Sequence, residues 1–424
     1  MTGNDTYRPR IADSLLGDAL RSSGAVQITG PKWCGKTTTA EQVAASVVYF
    51  QDPDRREALL RVAAEQPSLL LRGDRPLLLD EWQDAPAMWD AVRFAVDRER
   101  SVGGFILTGS SVPPRDDPAI KHSGTGRFAH VTMRSMSLFE SGESDGSVPL
   151  NALFAGNDIT GRARCGLGDI ASALVRGGWP ASVTANDPYG AARAADYVES
   201  IIESDISRVD GVEKNPRRVR LLMRSLARNE STAAAMTTLQ ADMAADQGRI
   251  STPTIAVYLN ALRRLFVIDD QEPWAEAVRS KTAIRTSPIR RYCDPSLPAA
   301  LLGLTADKLL VDFSTFGMLF ESLCLRDLRV YAAALGATIG HYRDARDLEC
   351  DAILELPDGR WGAIEVKLET RREDEAALTL HKMKSLVRSQ HGGEATFLAI
   401  ITSDGYARRR PDGIYVVPLS CLRP

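Results

Sequence analysis

Three short apolar runs punctuate the first quarter of the chain, and each stops abruptly at small or charged residues. They are Ala25-Val26-Gln27-Ile28, Leu77-Leu78-Leu79 and Gly104-Phe105-Ile106-Leu107. Runs this short, apolar at neighbouring as well as alternate positions, suit strands of a parallel sheet buried on both faces. Helical patterns at 38–46 and 86–98 separate them, which predicts an α/β domain with helices on both sides of its sheet. Further on the period changes. Residues 216–229, 237–247 and 252–268 read as three helices. In the last, Ile255, Leu259, Leu262 and Phe266 recur at steps of three and four, while Thr252, Tyr258 and Arg263 can point outward. Three such helices suit a winged helix, and equally a plain bundle. Between 345 and 370 the pattern becomes that of two strands around an Asp358-Gly359 hairpin turn.

The first apolar run leads into Gly30-Pro31-Lys32-Trp33-Cys34-Gly35-Lys36-Thr37, followed by Thr38 and a helical pattern. The spacing is G-x-x-x-x-G-K-[ST]. Its glycines let backbone N–H groups turn inward around phosphate oxygens, with help from the helix start, so Gly30 through Thr38 form the expected cradle for ATP. Lys36 is expected to reach the β- and γ-phosphates and Thr37 to offer its hydroxyl to Mg²⁺. The second run ends in Asp80-Glu81. Asp80 is placed to hold the metal ion through water, and Glu81 to orient or deprotonate the attacking water. The third run ends in Thr108-Gly109-Ser110-Ser111, at the sheet edge where an open α/β fold collects its ligand. Either Thr108 or Ser110 can meet the γ-phosphate or the lytic water. Arg127, in Thr125-Gly126-Arg127, is a candidate for stabilising transition-state charge, with a surface ion pair as the alternative.

At 424 residues the chain exceeds the span of one hydrophobic core, so several domains are expected. The expected boundaries are 1–145 for the ATP-binding domain, 146–214 for a helical lid or connector, 215–275 for the winged-helix-like part and 276–424 for a C-terminal α/β domain. Hydrophobic residues at 44% and charged residues at 25% describe an ordinary globular chain. A net charge of −3 gives no general attraction to nucleic acid, so DNA binding needs a local basic patch. Arg217, Arg220, Arg224 and Arg228 supply one if 216–228 is helical, because they fall in one angular sector. A solvated face, or pairing with acidic residues elsewhere, is the alternative. The six cysteines include no C-x-x-C pair, which argues against zinc ribbons and disulfide frameworks. No secretion signal or spanning segment is recognisable, so a cytoplasmic protein without membrane attachment is expected.

Together GPKWCGKT, LLLDEWQDAP, FILTGSS and TGRFAHVTMRSMSLFE resemble a widespread family of bacterial and archaeal ATPases within the broad AAA+ class. Arg176-Gly177-Gly178-Trp179-Pro180 and DYVESIIESDISRVDG (196–211) extend the likeness. The resemblance implies an AAA+ ATP-binding domain, a helical segment with a winged helix, and a C-terminal domain of restriction-endonuclease-like fold. It also implies ATPases that act on DNA or on partner proteins, and self-association, without naming a substrate.

In the C-terminal strands Asp351 lies on the first, while Glu365 and Lys367 project to one face of the second. Two carboxylates can hold Mg²⁺ and a lysine can polarise water or phosphate, the requirements of phosphodiester hydrolysis. This is similar to the D…E-x-K pattern of restriction-endonuclease-like folds, with Glu321 on the preceding helical stretch as the further carboxylate. Three functions follow: an ATP-driven switch whose movement DNA or a protein partner would feel, a Mg²⁺-dependent nuclease licensed by ATP, and a nucleotide-gated protein-interaction or signalling scaffold.

Overall fold

The structure is a computed structural model that describes residues 7–111, 120, 122–183, 189–247, 250–274, 287–344, 348–391 and 394–424. Its contacts resolve into two compact units. The first comprises Met1–Ser135, Ser204–Lys214 and Asn260–Val267, and the second Met136–Glu203, Asn215–Leu259 and Ile268–Pro424.

The first unit is built on β1 (Ala25–Thr29), β2 (Ser46–Tyr49), β3 (Leu77–Asp80), β4 (Phe105–Gly109) and β5 (Phe128–Thr132), in the order β2-β3-β4-β1-β5. Every pairing is parallel. Period-two alternation sends neighbouring apolar residues to opposite faces. Leu77, Leu79, Phe105 and Leu107 pack beneath α3 (Arg56–Glu65) and α4 (Ala87–Glu99), through Leu59, Met88, Trp89 and Val92. Leu78, Ile106, Val26 and Ile28 pack with Leu16 of α1 (Ile11–Ser22) and Ala40 of α2 (Lys36–Glu41) on the other face. Continuous apolar runs therefore mark strands covered on both sides, as expected.

Two local expectations fail. The helix anticipated over 38–46 stops at Glu41, and Ser46-Val47-Val48-Tyr49 is a strand instead. Its β-branched and aromatic residues suit pairing with β3, which outweighs the helix-favouring alanines before it. Strand β5 also escaped notice. It lies at the sheet edge with an interrupted pattern of buried and exposed residues, so it never forms an apolar run.

The second unit joins helices to a seven-stranded mixed sheet. Strands β6 (Val148–Pro149) and β7 (Gly161–Arg162) come early; β8 (Thr338–Arg343), β9 (Glu349–Glu355), β10 (Trp361–Lys367), β11 (Phe397–Thr402), β12 (Tyr406–Arg409), β13 (Tyr415–Pro418) and β14 (Leu422–Arg423) come late. The large sheet runs β7-β12-β13-β11-β10-β9-β8, while β6 and β14 pair separately. Ile353, Trp361, Ala363 and Ile400 form a core with Ala376, Leu380 and Met383 of the helix Glu373–His391. The helix Phe313–Ala334 contacts β8, β9 and β10.

The three expected middle helices are Pro216–Arg228, Met236–Gln247 and Thr252–Arg264. Ile255, Leu259 and Leu262 are buried as their spacing required. Phe266 is not on that helical face: the helix ends at Arg264, and Phe266 takes φ 56° while Leu265 and Val267 are buried. Tyr258 is also buried, its hydroxyl accepting from the Asn215 N–H at 3.3 Å. Arg176-Gly177-Gly178-Trp179-Pro180 is a packing motif. Gly177 adopts φ 77°, the Gly178 N–H donates to Asp294 at 3.0 Å, and the Trp179 indole donates to Ser296 at 3.0 Å.

Candidate nucleotide site

Strand β4 lies between β1, which feeds the glycine loop, and β3, which ends in the acid pair. Register aligns Thr29 with Gly109 and Leu79 with Leu107, so residues 30–37, 80–81 and 108–111 emerge along one edge of the sheet. Chain regions far apart in sequence thereby converge where parallel strands end.

The loop needs its glycines. Gly30 has φ 153°, and a Cβ there would fall 2.0 Å from the Met133 carbonyl oxygen. Gly35 has φ 98°. Lys36 is buried and donates to the carbonyl oxygens of Gly30 at 3.0 Å and Pro31 at 2.8 Å, so its ammonium lies folded over its own loop. Cys34 is fully buried beside Val26 and Ile28, so its side chain serves the core and only its backbone can face a ligand. Trp33 is exposed, at φ 65°. Arg10 braces the loop from outside, donating to the carbonyl oxygens of Cys34 at 2.7 Å and Arg134 at 2.9 Å. Thr38 follows Thr37 on the short helix α2.

The acid pair is held by hydroxyls. Thr37 Oγ1 donates to Asp80 Oδ1 at 2.6 Å, and Thr108 Oγ1 donates to the same oxygen at 2.7 Å while accepting from the Glu81 N–H at 3.2 Å. Ser110 Oγ donates to Glu81 Oε2 at 2.8 Å, and Gln83 Nε2 also donates to that carboxylate. Thr108 is thus spent on orienting Asp80 and Glu81, and Ser110 is the hydroxyl at the rim. Glu81 itself sits in the left-handed region at φ 54°, ψ 48°. A side chain with a Cβ adopts that conformation at a cost of about 1–3 kcal/mol, and the surrounding hydrogen bonds hold it there.

A cavity of about 700 Å³ adjoins this edge, lined by Lys32, Arg56, Gln83, Ser110, Asp205 and Arg208 among others. The donor set suits ATP and Mg²⁺: glycine backbone without obstructing side chains, an ammonium, and a hydroxyl beside a carboxylate as hard oxygen ligands.

Arg127 is not part of this group. Its carbonyl oxygen accepts from the Ala25 N–H, which places it where β1 begins, at the other end of the strand from the loop. Its guanidinium pairs with Asp97 at 2.7 Å. The proline-bearing stretch before Thr125 lies largely outside the described residues. Of the basic stripe, Arg217, Arg224 and Arg228 are exposed, Arg228 lies 4.0 Å from Asp242, and Arg220 is held by both Glu199 oxygens at 2.5 and 2.6 Å. Arg10 lies in no recognised motif, and Gln83, Asp205 and Arg208 lie within LLLDEWQDAP and DYVESIIESDISRVDG, stretches that carried the family likeness but assigned these three no role. Only their convergence in space shows them.

In the second unit the hairpin strands do bring the C-terminal residues together. Asp351 accepts from the Val366 N–H at 2.7 Å, Lys367 Nζ lies 2.8 Å from Glu365, and Arg291, almost fully buried, lies 2.5 Å from Glu321. Burial, then repulsion from Asp351, raises the pKa of both Glu321 and Glu365. Each of these two carboxylates already has a cationic partner. Among the described residues no group of three or more His, Cys, Asp or Glu is placed to hold a metal ion.

Residues 22–141 match a family model described as an AAA domain. Residues 167–308 and 316–422 match two models described as domains of unknown function. Uncharacterised proteins of Mycobacterium bovis and Mycobacterium tuberculosis are each 26% identical over 363 residues, covering 84% of this chain and 73% of theirs. Among solved structures, the Walker-type ATPase of Pyrococcus abyssi is similar at 12% identity and TM-score 0.40, over 71% of this chain and 96% of that one. The replication initiator DnaA bound to AMPPCP and single-stranded DNA is similar at 13% identity and TM-score 0.28, over 60% and 86%. At such scores neither structure bears on the site. The first unit carries an AAA-type P-loop domain, on the family match and the parallel sheet. Among the described residues no helix is long and apolar enough to cross a membrane.

Proposed function

We propose that the first unit binds ATP with Mg²⁺ and hydrolyses it, and that the nucleotide state is passed to the second unit, which acts on DNA. The observation that carries this reading is the contact of Thr37 with Asp80, two hard oxygen ligands drawn together from the glycine loop and the end of β3. Bound Mg²⁺ would neutralise charge on the β- and γ-phosphates. Lys36 exchanges its contacts with Gly30 and Pro31 for phosphate oxygens. Thr37 and Asp80 would hold the metal ion, and Glu81, braced by Ser110 and Gln83, orients and deprotonates the attacking water. Arg217, Arg220, Arg224 and Arg228 are the phosphate contacts proposed for DNA, with Arg220 exchanging Glu199, and Arg228 exchanging Asp242, for phosphate oxygens.

Steady-state ATP turnover with Mg²⁺, with and without duplex and single-stranded DNA, tests this reading against the Glu81→Gln protein. Turnover that vanishes in the variant and rises with DNA is the expected result. Turnover indifferent to DNA, with no salt-sensitive DNA binding, would favour the protein-interaction scaffold instead.

A phosphodiester-cleaving centre in the second unit is the other reading, favoured by the closeness of Asp351, Glu365 and Lys367. The ion pairs with Arg291 and Lys367 weigh against it, because a metal ion would have to displace a cation already in place.

A further inference from the structure

The cavity beside the glycine loop is lined by charges of both signs, and their pairing leaves one of them over. Three of its lining residues are cations, Lys32, Arg56 and Arg208, and three are carboxylates, Asp84, Asp205 and Asp210. Each carboxylate is already engaged. Asp205 pairs with Lys32 at 2.7 Å, Asp84 with Arg56 at 3.1 Å, and Asp210 with Lys214 at 2.6 Å. Among the described residues this leaves one lining charge without a partner, the Arg208 guanidinium.

Its backbone is nevertheless firmly set. On one side the buried Asp205 is tied to Lys32 of the glycine loop. On the other, Arg264 Nη2 donates to the Val209 carbonyl oxygen at 2.5 Å, and Lys214, whose side chain is fully buried, grips Asp210. The segment Ser204–Lys214, distant in sequence from the loop, clusters with the first unit. An arginine anchored on both sides, with its fork free in a polar cavity that Ser110 and Lys32 also line, is a preorganised receptor for an anion.

We infer that Arg208 meets the terminal phosphate of ATP bound to its own chain, the role the sequence had offered to Arg127. This rests on the ATPase reading and deepens it. Arg208 supplies two N–H donors to γ-phosphate oxygens, opposite Lys36, and the Lys32–Asp205 pair positions it. ADP has no group to fill that contact, so the residue also distinguishes ATP from ADP.

The test uses the full chain and its Arg208→Ala and Arg208→Lys variants, with fluorescent ATP and ADP analogues for binding and phosphate release for turnover. Arg208→Ala is expected to keep ADP affinity, lose the preference for ATP over ADP, and lower turnover at saturating ATP by on the order of 100-fold or more. Arg208→Lys should retain part of the preference, because the charge stays while the fork is lost. Mixing Arg208→Ala with Glu81→Gln should restore nothing if the arginine serves its own chain. Recovery in the mixture would overturn the in-chain assignment, and unchanged turnover in Arg208→Ala would overturn the inference altogether. Absence of turnover in the unaltered chain would instead remove the ATPase reading, and this inference with it.

Discussion

Thr37 and Asp80 stand 43 positions apart in the chain and share a hydrogen bond of 2.6 Å. Strand β4, inserted between β1 and β3, supplies the Thr108 hydroxyl that holds Asp80 for that contact, 2.7 Å from the same oxygen. Replacing Thr37 with Ala should therefore leave metal-free nucleotide binding nearly intact. The gain in affinity on adding Mg²⁺ should shrink by roughly 10- to 100-fold, a loss typical of a weakened metal environment. Titration of a fluorescent ATP analogue with and without Mg²⁺ measures it, and an unaltered Mg²⁺ increment would remove Thr37 from the metal site.

Glu81→Gln preserves the size of the side chain and its ability to accept from Ser110, but removes the base. Turnover should fall by about 10²- to 10⁴-fold with nucleotide affinity retained. A loss of binding together with turnover would mean that Glu81 shapes the loop rather than the chemistry.

Arg127→Ala should change turnover by less than about twofold, because its partner is Asp97 at the other end of the strand from the loop. A large loss measured at dilution, where subunits are separated, would contradict this placement.

Gly30→Ala asks for a Cβ 2.0 Å from the Met133 carbonyl oxygen, at a φ that favours glycine. The backbone must shift, so stability should fall by more than about 1 kcal/mol in urea denaturation, and nucleotide affinity should fall with it. A variant as stable as the parent would show that the loop relaxes freely.

Glu230 in the second unit is buried, accepts from the Tyr292 N–H and from Ser322 at 2.7 Å, and has its pKa pushed up from 4.5 to about 7 by burial. Arg291 opposes the shift and Glu321 adds to it. The folded state therefore holds a proton that the unfolded state releases, and this group's contribution to stability declines as pH rises from about 4.5 to 7. His341, lowered to about 4, contributes the opposite trend over the acid part of that range. Comparing Glu230→Gln with the parent isolates the first term. Between pH 5 and 8 the variant should gain on the parent by up to about 3 kcal/mol in urea denaturation. Parallel pH profiles would show that Glu230 ionises as readily in the folded state as in the unfolded chain.

The sequence by itself determined what depends on local spacing. Glycines at positions 30 and 35, followed by Lys36 and Thr37, read as a phosphate-cradling loop, and runs such as Leu77-Leu78-Leu79 read as strands covered on both faces. That Asp351 lies on one strand of a hairpin and Glu365 and Lys367 on the other was legible for the same reason, since the Asp-Gly turn marks where the chain reverses. Tertiary structure decided everything that depends on which chain regions meet. Strand β2 exists because β3 offers it a partner, and Phe266 leaves the helical face because Leu265 and Val267 take the buried positions. Arg127 is removed from the glycine loop by strand direction, a property of the sheet rather than of its neighbours in sequence. Arg208 enters because Lys32 and Arg264, from two distant parts of the chain, anchor its segment. Hydrogen bonds and ion pairs fall off within a few ångströms, so such long-range encounters leave no period or spacing in the sequence.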